Sequence, residues 1–210
     1  KQITISGNFN LVNGYINQTK IISELENQGY FLRSGKYKDE LINIIDDTEK
    51  KFKEFFKMIK EIIHKFSDEN FHLRPHPLEK IETWQEHFSE YKNVKISKDG
   101  NINEQLLNSK ILIHNSCTTA FHSFFYKIPT ISYEPIKCKS NYGETANELS
   151  ERTRNVEELI DAISVIKKNK YQISNKDFKK NLFNQKVFRP KDIYSAQMIV
   201  NEWKKISNFS

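Results

Sequence analysis

The sequence predicts an α/β fold, a parallel Rossmann-like sheet with helices on both faces, and three observations lead there. Short apolar runs of strand length recur at 3–6, 71–74, 94–97, 110–114 and 130–133. Segments with helical periodicity or helix-start signals separate them, and parallel strands need such crossovers. The loops after three of these runs are rich in Gly, Pro, Asn, Ser and Thr, at the strand ends where sheets of this class bind ligands.

Taken in order, the run Ile3 to Ser6 is β-prone and stops at the turn signal Gly7-Asn8. Residues 16–29 predict a helix closed by Gly29. From Asp46 onward Phe52, Phe55, Phe56, Ile59, Ile62, Ile63 and Phe66 form one apolar stripe, while Lys50, Lys51, Lys53, Lys57, Lys60 and Glu61 take the other face. A strand follows directly, so the stripe is expected to pack on the sheet. Phe71-His72-Leu73-Arg74 is that strand, ended by Pro75. A helix is predicted over 78–91, a strand over 94–97 and a turn over 98–101. A short helix over 102–108, a strand over 110–114, a helix over 117–126 and a strand over 130–133 come next. Residues 134–154 are expected to be loop, 155–168 helix, and 191–206 a last helix. The domain expectation is a Rossmann-like body at 1–165, with a basic helical segment at 166–210 packed on it.

Composition narrows the class. At 210 residues, 37% hydrophobic, 12% aromatic and 29% charged, the chain can bury a core and is neither disordered nor fibrous. Runs such as Ile111-Leu112-Ile113 fall far short of the roughly 20 apolar residues a membrane helix needs. The start at Lys1, in mid-strand and without a signal-peptide pattern, suggests a missing upstream part. Cys117 and Cys138 give no disulfide framework and the histidines no metal spacing, so the expected setting is a reducing cytoplasm and no metal is expected. Of the 33 basic residues 28 are Lys, and residues 165–210 hold 11 basic against three acidic side chains. The net +6 is therefore a basic tail on a near-neutral body. Such a tail suits a peripheral contact with an anionic membrane or a merely solvated face; nucleic-acid readers favour Arg, so no nucleic acid is expected.

Three strand ends carry the chemistry. Arg74-Pro75-His76-Pro77 holds a cation and an imidazole on stiff backbone, which suits a phosphate; the alternative is a rigid turn whose Arg caps a carboxylate. His114-Asn115-Ser116-Cys117-Thr118-Thr119 offers hydroxyls and free amides at a helix start, a second anion cradle; the alternative is plain N-capping by Ser116. Gly7-Asn8 ends the first strand. Cys117 between His114 and His122 invites a thiol–imidazole nucleophile, but no acid partner is indicated, and a small buried Cys is the commoner outcome.

Ser6-Gly7-Asn8, Arg74-Pro75-His76-Pro77, Trp84, His114-Asn115-Ser116-Cys117-Thr118-Thr119-Ala120, Pro129-Thr130-Ile131-Ser132-Tyr133-Glu134-Pro135 and Asn147-Glu148-Leu149-Ser150 occur in that order. Over residues 3–165 the series resembles the C-terminal half of bacterial surface-carbohydrate biosynthesis proteins. These are GT-B glycosyltransferases similar to Kdo transferases, sialyltransferases and CDP-glycerol glycerophosphotransferases. The resemblance implies the donor-binding domain of a two-domain fold, facing an N-terminal domain that carries the acceptor's base. It implies that His76 contacts the donor phosphate, where a ring N–H would assist departure of that phosphate. Arg74, Asn115, Ser116, Thr118 and Thr119 would bind phosphate or nearby donor groups, with Gly7 and Asn8 approaching the cleft. The implied substrates are a nucleotide sugar, CMP-linked and acidic, and a glycan or lipid-linked glycan acceptor; no further cofactor is implied. Two other readings stand beside it, a CDP-glycerol-type glycerophosphotransferase and a non-catalytic nucleotide-binding module. The family has Gly-Asn-Pro-Arg at the first strand end, where this chain has Phe9-Asn10 after Asn8. Where the family has Glu-Ala after Thr-Thr-Ala, this chain has His122-Ser123, and Lys127 replaces a small Gly near the next turn.

Overall fold

The computed structural model describes residues 1–32, 36–137, 144–168, 176–186 and 200. It divides into two compact units, Lys1–Ser174 and Asn175–Ser210. The described helix of the second unit is Lys176–Lys186, inside the stretch expected to be helical at 166–210. The helix expected over 191–206 lies outside the described residues except for Val200.

In the first unit six strands form one sheet in which every pair is parallel. They are β1 (Gln2–Ser6), β2 (Phe71–Arg74), β3 (Val94–Ile96), β4 (Ser109–His114), β5 (Thr130–Tyr133) and β6 (Glu151–Thr153). The spatial order β3-β2-β1-β4-β5-β6 is that of the doubly wound Rossmann arrangement. Between β1 and β4 the order reverses, which opens a crevice at their carboxyl ends. The expected Rossmann-like sheet is the observed one.

Side chains alternate across the pleat, and the two faces differ in character. Ile3, Ile5, Phe71, Leu73, Ile111, Ile113, Ile131 and Tyr133 join one apolar core. The predicted stripe supplies its cover: Phe55, Phe56, Ile59, Ile62 and Ile63 are buried on a helix that runs Lys36–Lys65. Counting in chain order from the short helix Asn10–Asn13 (α1) and the ten-residue helix Gln18–Asn27 (α2), which answers the expected helix over 16–29, that helix is α3. Helix α4 (Ile81–Phe88) adds Trp84 and Phe88 to the same core. The last helix of the unit, α8 (Val156–Lys167), adds Leu159 and Ile163. The alternate positions Thr4, His72, Leu112 and Thr130 face the other way, where α5 (Ile102–Leu107) and α6 (Thr119–Phe125) pack on β4.

Several boundaries differ from expectation. Helix α3 begins at Lys36 rather than near Asp46. Helix α4 begins at Ile81 rather than 78, and α6 at Thr119 rather than 117. The stretch expected to be loop over 134–154 contains α7 (Glu144–Glu148) and the edge strand β6. Strand β6 is the tripeptide Glu-Arg-Thr, held by pairing to β5 rather than by an apolar run. Arg152 on β6 forms ion pairs with Glu134 and Glu144, which ties α7 to the end of β5.

Candidate functional site

At the carboxyl edge the sheet's second face ends in a continuous polar row. Register places Arg74 beside Ser6, Ser6 beside His114, His114 beside Ser132, and Ser132 beside Arg152. One pleat position thus presents polar side chains across five strands, directly beneath the three loops singled out in the sequence.

The loop after β4 is built on His114. This imidazole is wholly buried, and burial pushes it down to about 3, so it is neutral. Nδ1 accepts the Cys117 amide at 3.2 Å, so the ring's proton sits on Nε2, which donates to Ser150 Oγ at 2.7 Å. With one nitrogen on the loop and the other on the segment after α7, His114 pins two chain segments together. Ser116 takes the left-handed conformation, φ 47°, uncommon for a residue with a side chain. Asn8 Nδ2 donates to its carbonyl at 3.3 Å, and Asn147 Nδ2 donates to its Oγ at 3.2 Å. The loops after β1 and β4 therefore meet across the switch point.

Plain capping does not account for the hydroxyls. The N-cap of α6 is Thr118, whose side chain makes no capping bond, and Ser116 Oγ faces Asn147 instead. Cys117, Ala120 and Phe121 spend their amides on His114 Nδ1, Cys117 O and Thr118 O. Among the described residues, the amides of Ser116, Thr118 and Thr119 donate to no acceptor. Thr119 Oγ1 and Asn147 Oδ1 are buried without a partner, Thr118 is exposed, and Asn115 is 4% exposed. This edge holds unspent hydrogen-bonding capacity of both kinds.

Arg74 caps backbone carbonyls rather than the carboxylate of the rigid-turn alternative. Nη1 and Nη2 donate to the carbonyls of Asp99 and Gly100 at 2.9 and 3.0 Å, in the turn after β3. Burial lowers its pKa from the ordinary guanidinium range, with Asp99 and Cys117 opposing that shift. Since the guanidinium has five donors, Nε–H and one N–H on each terminal nitrogen remain, and so does the charge. Lys98 is a second cation at this edge, missed in the sequence. Its Nζ donates to Tyr15 Oη, Pro77 O and Glu79 O, and lies 5.1 Å from the centre of the Tyr15 ring.

His76 is half-buried, and its Nδ1 accepts the Leu78 amide at 3.2 Å. That fixes Nδ1 as acceptor and leaves Nε2–H as the ring's donor. The thiol pairing is not formed. Cys117 Sγ lies 3.5 Å from Ser6 Oγ, His114 has both nitrogens engaged elsewhere, and His122 Nδ1 bonds Asn103.

Gly7 has a steric reason to lack a side chain. A Cβ there would lie 2.6 Å from Trp84 Cζ2 and 3.1 Å from Glu79 Oε1. A cavity of about 440 Å³ lies at the opposite, amino-terminal edge, bordered by Lys1, Lys92, Lys95 and Asn108, and none of the candidate residues borders it. Compared with known protein families and with curated proteins, the chain matches none. Among the described residues no helix is long and apolar enough to cross a membrane.

Proposed function

We propose that this chain is the donor-binding half of a GT-B-type glycosyltransferase that holds the phosphate of a nucleotide sugar at the switch point between β1 and β4. The observation that carries the reading is the meeting of the loops after β1 and β4, joined by Asn8 and Ser116, at the crevice where the strand order reverses, with the loop of His76 tied to the chain after β1 through Glu79. Free amides on Ser116, Thr118 and Thr119, the hydroxyl of Thr118 and the Nε2–H of His76 are donors suited to phosphate oxygens.

Transfer of the sugar breaks its bond to the phosphate and leaves negative charge on the departing oxygen. Donors already fixed in place stabilise that charge most where it grows, in the transition state. His76 acts as hydrogen-bond donor to the leaving phosphate. Arg74 and Lys98 add positive charge at this edge, since both are held by backbone carbonyls rather than by an ion pair among the described residues. The proposed donor is CMP-linked and acidic, and the proposed acceptor is a glycan or lipid-linked glycan. The proposed setting is the cytoplasmic face of a bacterial membrane.

Calorimetric titration with CMP, CDP, UDP and their sugars tests the reading. A cytidine nucleotide is expected to bind, and His76→Ala to weaken it roughly ten- to hundredfold, the worth of a hydrogen bond to a charged group. Thr118→Ala should cost less, since its exposed hydroxyl competes with water. Binding of no nucleotide at millimolar concentration would overturn the proposal.

A further inference from the structure

We infer that Glu79 is the positioning residue of this site, setting the aim of His76 and locking the loop after β1 to the loop after β2. The inference rests on the role proposed for His76. Its basis is a carboxylate with no solvent exposure that gathers four donors from three segments. Oε1 accepts the amides of Phe9 at 2.9 Å and His76 at 3.0 Å. Oε2 accepts Trp84 Nε1 at 2.9 Å and Asn13 Nδ2 at 3.3 Å. Two of these donors belong to the chain after β1, one is the backbone of His76, and one is the buried indole of α4.

The same residue closes the turn that orients the imidazole. The Glu79 amide donates to His76 O at 2.8 Å while the Glu79 carboxylate takes the His76 amide, so the four-residue turn is tied at both ends. Within it the Leu78 amide reaches His76 Nδ1, which leaves Nε2–H as the outward donor. Lys98 clamps the turn from outside through the carbonyls of Pro77 and Glu79. Gly7 is part of the device, because a side chain there would collide with Trp84 and crowd Oε1. Strand-end amides that serve a ligand in many sheets of this class are here spent on an internal anion, which pre-assembles the site before any ligand arrives.

Glutamine cannot replace this group. A carboxamide has one acceptor oxygen, so either the two backbone amides or the Trp84–Asn13 pair would face an NH₂. The test is long-range ¹H–¹⁵N NMR of the His76 ring in the whole chain, alongside calorimetry with CMP. Wild type should show one neutral form of His76, protonated at Nε2. Folded Glu79→Gln should show His76 nitrogen shifts averaged between the two neutral forms, while buried His114 stays unchanged. If Glu79→Gln does not fold, Glu79→Asp, which keeps the charge but withdraws Oε1 from the His76 amide, should show the same averaging. In binding, His76→Ala should cost at least fivefold less affinity in the variant background than in wild type. A His76 spectrum unchanged in a folded variant, or His76→Ala losses that simply add to those of the variant, would overturn the inference. If wild type binds no nucleotide, the proposed function fails, while the ring spectrum still decides whether Glu79 orients His76.

Discussion

His72 and His114 are both buried, and neither can take a second ring proton without losing a partner. His72 bonds Gln2 Nε2 and Ser97 Oγ, and burial, with Lys95 and Arg74 nearby, pushes it down to about 4. His114, deeper still, is pushed down to about 3. Their ordinary value is 6.5, so the unfolded chain takes up these protons first as pH falls. Stability is therefore complete above about pH 6.5 and is lost on acidification, by up to about 1.4 kcal/mol per pH unit for each ring. The loss levels off near pH 4 for His72 and near pH 3 for His114. Urea midpoints should fall clearly between pH 7.5 and 5; equal midpoints would show that the rings are not held neutral. At this scale the sequence was informative where stiffness or clustering marks a residue, as at the proline-flanked His76 and the hydroxyl-rich 115–119 loop. Glu79 was not legible. It is one of 27 acidic residues, and its four donors come from positions up to 70 residues away in the chain.

Helix α3 shows how one element serves both sheet and edge. It has 30 residues, so it is about 45 Å long, far longer than the five-residue strand it covers. Its buried residues begin at Ile45, and the stretch 36–44 contributes none. Its strength should lie in the stripe. Ile59→Ala is expected to cost about 2–5 kcal/mol, the cost of emptying a packed aliphatic position. Lys53→Ala removes only an exposed pair with Glu49 and should cost under about 0.5 kcal/mol by the same denaturant measurement. Similar losses from the two changes would contradict the packing described. The stripe from Phe52 to Phe66 was readable because one face is wholly apolar. The earlier start was not, because the surface turns at 36–44 keep the helical spacing of Tyr37, Leu41 and Ile44 without a buried residue. Strand β6 escaped for a different reason. An edge strand of three polar residues is specified by hydrogen bonding to its neighbour and by Arg152, neither of which is a local pattern.

For the molecule, the parallel sheet was legible from alternation alone, but the strand order was not. Alternation says that strands are joined by crossovers; which edge each one joins is set by packing after the chain folds. The order matters because it puts β1 between β2 and β4 and so brings three distant loops to one crevice. Function at this scale is a matter of which edge binds. The carboxyl edge has the polar row, unspent amides and two cations held by carbonyls. The amino edge has a cavity of about 440 Å³ and three lysines. Backbone NMR of the chain titrated with CMP separates them most directly. Shifts concentrated on Asn8, His76 and Ser116 to Thr119 are the predicted result. No shifts at millimolar nucleotide, or shifts confined to Lys92, Lys95 and Asn108, would contradict a donor site at the switch point.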